Sequence, residues 1–115
     1  MAENVSSQLL KGVLQGIMLV ILAKKPNYGY GITKEMNDYG LLAIPKGTIY
    51  PLLTSMTNKG LLTTEMHTAE SGRDRKYYYI TEEGLVEKAK FISEWHELVG
   101  IVGGVVKGEL YDENQ

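Results

Sequence analysis

With 115 residues, 43% of them hydrophobic, and no cysteine, the chain has the make-up of one globular domain, and disulfides and thiolate metal sites are excluded. The net charge of −2 argues at first against a polyanionic partner, but it is unevenly spread: zero over residues 1–23, +3 over 24–79 and −5 over 80–115. A basic middle with an acidic tail lets the central part meet a polyanion while the tail stays away. The longest unbroken apolar run, residues 17–23, is far short of the ~20 residues of a membrane span. Ala2-Glu3-Asn4 is not the basic leader of a signal peptide. The chain is therefore expected to be cytoplasmic and free of the membrane, and the lack of cysteine is compatible with a reducing compartment.

Residues 5–24 are expected to form the first helix. Leu9, Leu10, Val13, Leu14, Ile17, Met18, Val20 and Ile21 recur at helical spacing over more than one face. Such a helix is covered on more than one side, and in a short chain the second cover can come from another subunit. Pro26-Asn27 breaks it. Residues 29–39 predict a second, short helix with Ile32, Met36 and Tyr39 inward and Gly40 as terminator. A connection over 41–46 leads to a third helix, 47–59, closed by Gly60. Ile49, Leu52, Leu53 and Met56 fall on one stripe of it. The opposite face holds Gly47, Pro51, Thr54, Ser55 and Asn58, flanked by Thr48 and Tyr50. Pro51 is expected in or near the first turn, where a missing N–H costs little.

Residues 61–68, rich in Thr and Leu, and 76–80, rich in Tyr, favour strands. The polar, glycine-containing stretch 69–74 between them makes a β-hairpin with a charged tip carrying Arg73, Arg75 and Lys76. Alternation buries Tyr78 or its two neighbours, not all three. Thr81 suits an N-cap, and Glu82 and Glu83 suit the positive end of the helix that follows. In that helix Ile92, Trp95, Val99, Val102 and Val106 form a heptad seam, which needs a partner helix. Gly100, Gly103, Gly104 and Gly108 either fray its end or permit close helix–helix approach.

The fold class is thus mainly α with a small β-hairpin: a winged helix-turn-helix with an extra C-terminal dimerisation helix. Residues 1–80 make the DNA-binding unit, including the N-terminal helix, and 81–115 the dimerisation helix and acidic tail. A helix whose outward face is small and polar can enter the major groove of duplex DNA. Thr48, Thr54, Ser55 and Asn58 offer hydrogen bonds to base edges or phosphates. The helix N-terminus beside Lys46 offers N–H groups to a phosphate, and Arg73, Arg75 and Lys76 can follow the backbone or reach the minor groove.

Two other classes of protein fit the sequence less well. An enzyme lacks support: the chain has only His67 and His96, no phosphate-cradling loop and no second His near His96-Glu97. No metal or cofactor is expected. A protein-interaction module that dimerises is compatible with the composition, and salt dependence separates it from a DNA binder.

These residues also carry a resemblance. Tyr28-Gly29-Tyr30-Gly31-Ile32, Gly47-Thr48-Ile49-Tyr50-Pro51-Leu52-Leu53 and Gly60-Leu61-Leu62 resemble the PadR family of bacterial transcriptional regulators. So do Gly72, Arg75-Lys76-Tyr77-Tyr78 and Ile80-Thr81-Glu82-Glu83-Gly84, in the family's order. The short last helix is similar to the small subgroup that includes a lactococcal multidrug-sensing regulator. The resemblance implies a homodimer with first and last helices exchanged between subunits. It also implies repression of nearby genes from a palindromic operator, relieved by a small aromatic or drug-like effector. By the same resemblance Tyr28, Lys46, Thr48, Tyr50 and Pro51 lie at or near DNA, with Arg73, Arg75 and Lys76 on the wing. Trp95 has two readings: an aromatic anchor of the dimer seam, or, by family analogy, one of two indoles that sandwich a flat ligand. Ile92, Val99, Leu9, Gly12 and Gly16 are its candidate neighbours at an effector site. Leu9, Val13, Ile92, Trp95, Val99, Val102 and Val106 form the candidate dimer interface.

Overall fold

The computed structural model describes residues 5–42 and 44–109. Its elements are α1 (Ser7–Leu10), α2 (Leu14–Lys24), β1 (Asn27–Tyr28), α3 (Gly29–Asp38), α4 (Lys46–Asn58), β2 (Leu62–Thr68), β3 (Asp74–Ile80) and α5 (Glu82–Val105). The fold is mainly helical with a small antiparallel sheet.

The first helical segment is not continuous. Ser6 caps α1, its hydroxyl accepting from the Leu9 N–H at 3.2 Å. The chain then turns through Lys11, Gly12 and Val13, where the Val13 N–H donates to the Leu10 carbonyl at 2.9 Å. A glycine followed by a β-branched residue is a weak point in a helix. From Leu14 the helix restarts, and Leu14, Met18, Leu19, Ile21 and Leu22 are buried while Val13, Ile17 and Val20 are half-buried. The cover on more than one side expected from the sequence is present.

Both short helices end in the same way. After α3, Gly40 has φ 112°, its N–H donates to Asn37 and that of Leu41 to Met36. After α4, Gly60 has φ 82°, its N–H donates to Thr57 and that of Leu61 to Met56. These paired bonds satisfy helix-end carbonyls, and the left-handed residue favours glycine. The turn corrects one expectation: Tyr39 is not inward but 66% exposed, because α3 stops at Asp38 and Tyr39 is its C-cap.

Ile49, Leu53 and Met56 of α4 are fully buried against Ile32, Met36, Met18, Leu19 and Leu22 in one core, and Leu52 is half-buried at its margin. Pro51 is not in the first turn. It is the sixth residue of a helix that begins at Lys46, so the Gly47 carbonyl receives no bond from it. Gly47 lies on the exposed side, where water can serve that carbonyl.

The hairpin is part of a three-stranded sheet of order β1-β3-β2. β2 and β3 pair from Leu62↔Ile80 to Thr68↔Asp74, and β1 adds Asn27↔Tyr78 and Tyr28↔Tyr77. A two-residue strand leaves no alternation to read, so β1 was not foreseen. Tyr78 points into the core while Tyr77 and Tyr79 are half-buried on the other face, which is one of the two alternations allowed by the pleat. Thr81 caps α5, its hydroxyl accepting from the Gly84 N–H at 3.0 Å and donating to the Gly60 carbonyl at 2.6 Å. Gly100, Gly103 and Gly104 lie within α5; Gly108, with φ 91°, lies beyond it.

Candidate nucleic-acid interface

α3 and α4, joined by the turn at Gly40, make the helix-turn-helix. With the core stripe of α4 held inward, Gly47, Tyr50, Pro51, Thr54 and Asn58 are exposed. Thr48 and Ser55 are half-buried on one flank of the helix. With Pro51, Leu52, Leu10, Leu14 and Ile44 they border a cavity of about 500 Å³ between α1 and α4. Lys46 opens α4, but its side chain lies outside the described residues.

The exposed face of α4 is anchored to the Tyr-Gly-Tyr-Gly segment. The Tyr50 ring lies on Gly29, filling the space a side chain there would need. Glycine at 29 is therefore required by close approach, and it lets β1 and the start of α3 sit beside the first half of α4. Burial pushes the Tyr78 phenol up from its ordinary pKa, and Tyr50 nearby adds to the shift.

The wing divides its cations. The turn is shorter than expected: the Ala69 N–H donates to the Arg73 carbonyl, and Gly72, at φ 87°, turns the chain. Arg73 is exposed in this turn, whereas Arg75 and Lys76 belong to β3 rather than to the tip. Lys76 is exposed. Arg75 is half-buried, its guanidinium carbon 4.6 Å from the centre of the Tyr28 ring. Asp74 accepts from the Thr68 hydroxyl at 2.8 Å. His67 stacks on Tyr77 with ring centres 4.2 Å apart, and its Nε2 is 2.8 Å from the Tyr79 hydroxyl.

A second region lies where α5 crosses α2. The Phe91 ring occupies the space a side chain at Gly16 would take, so Gly16, a candidate neighbour of Trp95 at an effector site, serves close helix packing here. Phe91, Ile92 and Trp95 with Val13, Ile17, Val20, Ile21, Lys24, Met36, Tyr39 and Leu41 line a largely apolar groove of about 530 Å³. Lys24 Nζ donates to the Tyr39 hydroxyl at 2.8 Å, a bond that raises the lysine above its ordinary pKa. Lys24 thus stands at the groove's rim. Of the candidate effector residues, Trp95 and Ile92 line this groove; Leu9, at 72% exposure, Gly12 and Val99 do not. Phe91, Lys24 and Tyr39 were missed. Phe91 stands one helical step before Trp95, their rings 6.4 Å apart, and was within reach of the seam pattern; Lys24 and Tyr39 meet only through the fold.

Among the described residues no helix is long and apolar enough to cross a membrane, and no cluster of three or more His, Asp or Glu could hold a metal ion.

A helix-turn-helix followed by a β-hairpin, with β1 completing the sheet, defines a winged-helix protein. The profile of the transcriptional regulator PadR-like family matches residues 18–90, and the chain belongs to that family. It is similar over 89% of its length to a PadR-like transcriptional regulator of Bacillus cereus, with 35% identity, a TM-score of 0.80 and 99% of that chain covered. A PadR family transcriptional regulator of Eggerthella lenta is likewise 35% identical, with a TM-score of 0.77 and 87% of each chain covered. A protein of Lysinibacillus sphaericus is 27% identical over 106 residues, which span 90% of this chain and 97% of that one. Both solved relatives are described as transcriptional regulators.

Proposed function

We propose that the protein is a homodimeric, sequence-specific repressor that acts in the cytoplasm on a palindromic operator and is released by a small planar effector. The observation that carries the DNA contact is the exposed face of α4, Gly47, Tyr50, Pro51 and Thr54, beside a wing bearing Arg73, Arg75 and Lys76. Thr48 and Ser55 flank that face, and Lys46 and the N–H groups of the first turn complete it for a phosphate. Two such helices enter successive major grooves about one helical turn apart. Residues 1–80 form the DNA-binding unit and 81–115 the dimerisation helix and tail, of which residues 110–115 lie outside the described part.

Dimerisation is supported by the apolar stripe of α5: Ile92, Trp95, Val99 and Val102 are about half exposed in the single chain. Val106 continues the seam, and Leu9 and Val13 meet it from the first helical segment of the partner subunit. The effector site is the Trp95 groove, closed by the second subunit. Among the described residues its only charged lining residue is Lys24, which favours a flat ligand with an acceptor or anionic group over a cationic one.

Fluorescence anisotropy on the DNA upstream of the protein's own gene, against unrelated DNA over a salt series, tests the reading. Tight and selective binding that falls steeply with salt is expected. Equal, salt-insensitive binding to both would overturn it. Coupling between sites is reciprocal, so operator DNA should weaken the effector by the factor by which effector weakens DNA. Trp95→Ala should impair effector titration or dimerisation; if both are unchanged, Trp95 serves neither.

A further inference from the structure

We propose that Tyr28 serves DNA binding through Arg75, as a positioning residue that holds the guanidinium ready for a backbone phosphate. The inference rests on the DNA-binding reading above and deepens it. Successive residues of a strand face opposite sides, so Arg75, Tyr77 and Tyr79 share one face of β3 while Tyr78 takes the other. The register places Tyr28 opposite Tyr77 and His67 opposite Arg75. The result is a continuous ladder of flat groups. The Arg75 guanidinium lies 4.6 Å from the Tyr28 ring centre. Tyr28 leans on Tyr77 at 5.4 Å, and Tyr77 stacks on His67 at 4.2 Å with 19° between the planes.

This arrangement suits phosphate binding for two reasons. A guanidinium attracted to the face of a ring keeps the donors around its edge free. A long side chain already held in place also loses less rotamer freedom when it binds. The charge is not spent inside the protein: the ion pairs among the described residues, Lys34–Asp38 and His67–Glu65, leave Arg75 out, and Asp74 next to it is engaged by Thr68. The two-residue strand β1 exists, in this view, to bring one ring beneath one cation. It brings the Tyr-Gly-Tyr-Gly segment to the wing, although the two are far apart in sequence.

The test combines two readouts on the full chain. In NMR spectra without DNA, the Arg75 side-chain protons should show an upfield ring-current shift that persists in Tyr28→Phe and is lost in Tyr28→Leu. Anisotropy with a labelled duplex of random sequence, over a salt series, reads the consequence. Arg75→Ala should weaken binding and lower the salt slope by about one unit. Tyr28→Leu should weaken it by about 2- to 5-fold, Tyr28→Phe should bind as the wild type, and Tyr28→Leu with Arg75→Ala should bind no worse than Arg75→Ala alone. Tyr28→Phe as damaging as Tyr28→Leu would mean that the hydroxyl touches DNA itself, and additive losses in the double variant would mean that the two residues act separately. Either result overturns the positioning role while leaving DNA binding intact. A wild type that shows the ring-current shift but binds no duplex at any salt overturns the DNA-binding reading, and the positioning role with it.

Discussion

Gly16 and Phe91 set how closely α5 can lie on α2. Because the Phe91 ring fills the space above the glycine, even a small side chain at 16 must push α5 outward or force the ring from its rotamer. Overpacking of this kind costs about 1–3 kcal/mol. Gly16→Val should therefore lower the urea midpoint of unfolding, and adding Phe91→Leu should recover part of the loss; independent effects would show that the two do not share one space. Legibility at this scale followed the same division. Trp95 and Ile92 lie on a heptad and could be picked out from spacing alone. Lys24 and Tyr39 could not, because their bond depends on how the ends of α2 and α3 cross. Arg75 lies outside the tip for a different reason: Gly72 completes the turn early, so the chain is already strand from Asp74 onward.

Among the elements, α5 is fastened at its N-cap. Thr81 satisfies one N–H of the new helix and, through the same hydroxyl, the Gly60 carbonyl at the end of the preceding one. Thr81→Ala should cost about 1 kcal/mol from the cap alone, visible as a lower thermal midpoint; Thr81→Ser, which keeps the hydroxyl, should restore most of it. An alanine variant as stable as the wild type would show that water replaces both bonds. The cap was legible because Thr followed by two Glu is a strong local signal, and α4 because its apolar residues keep a helical period. The break before Leu14 was not, since Leu9, Leu10, Val13 and Leu14 continue the period across a turn that Gly12 and Val13 permit.

For the molecule as a whole, the decisive feature is a 24-residue helix that is covered only near its start. Beyond Phe91 it exposes Ile92, Trp95, Leu98, Val99, Ile101, Val102 and Val105, more contiguous apolar surface than a monomer of this size ordinarily leaves to water. Val99→Glu places a charge in that stripe. If the proposed dimer forms through this stripe, the variant should shift sedimentation from dimer to monomer and weaken operator binding with it, since two half-sites are then no longer held together. A variant that sediments as the wild type would remove Val99 from the seam.

The bonds that join Thr81 to Gly60 and Leu61 also give the long helix a mechanical meaning. They fasten its root to the residues that close α4, so α5 is a lever with its pivot at the end of the helix that presents Tyr50 and Thr54. A helix of this length is about 36 Å long, and each degree of rotation about the pivot moves its far end by about 0.6 Å. Run backwards, in the proposed dimer a shift of about an ångström or two between the two far ends is geared down to a few degrees at the root. In the proposed dimer, such a rotation would reset α4 without unfolding either helix.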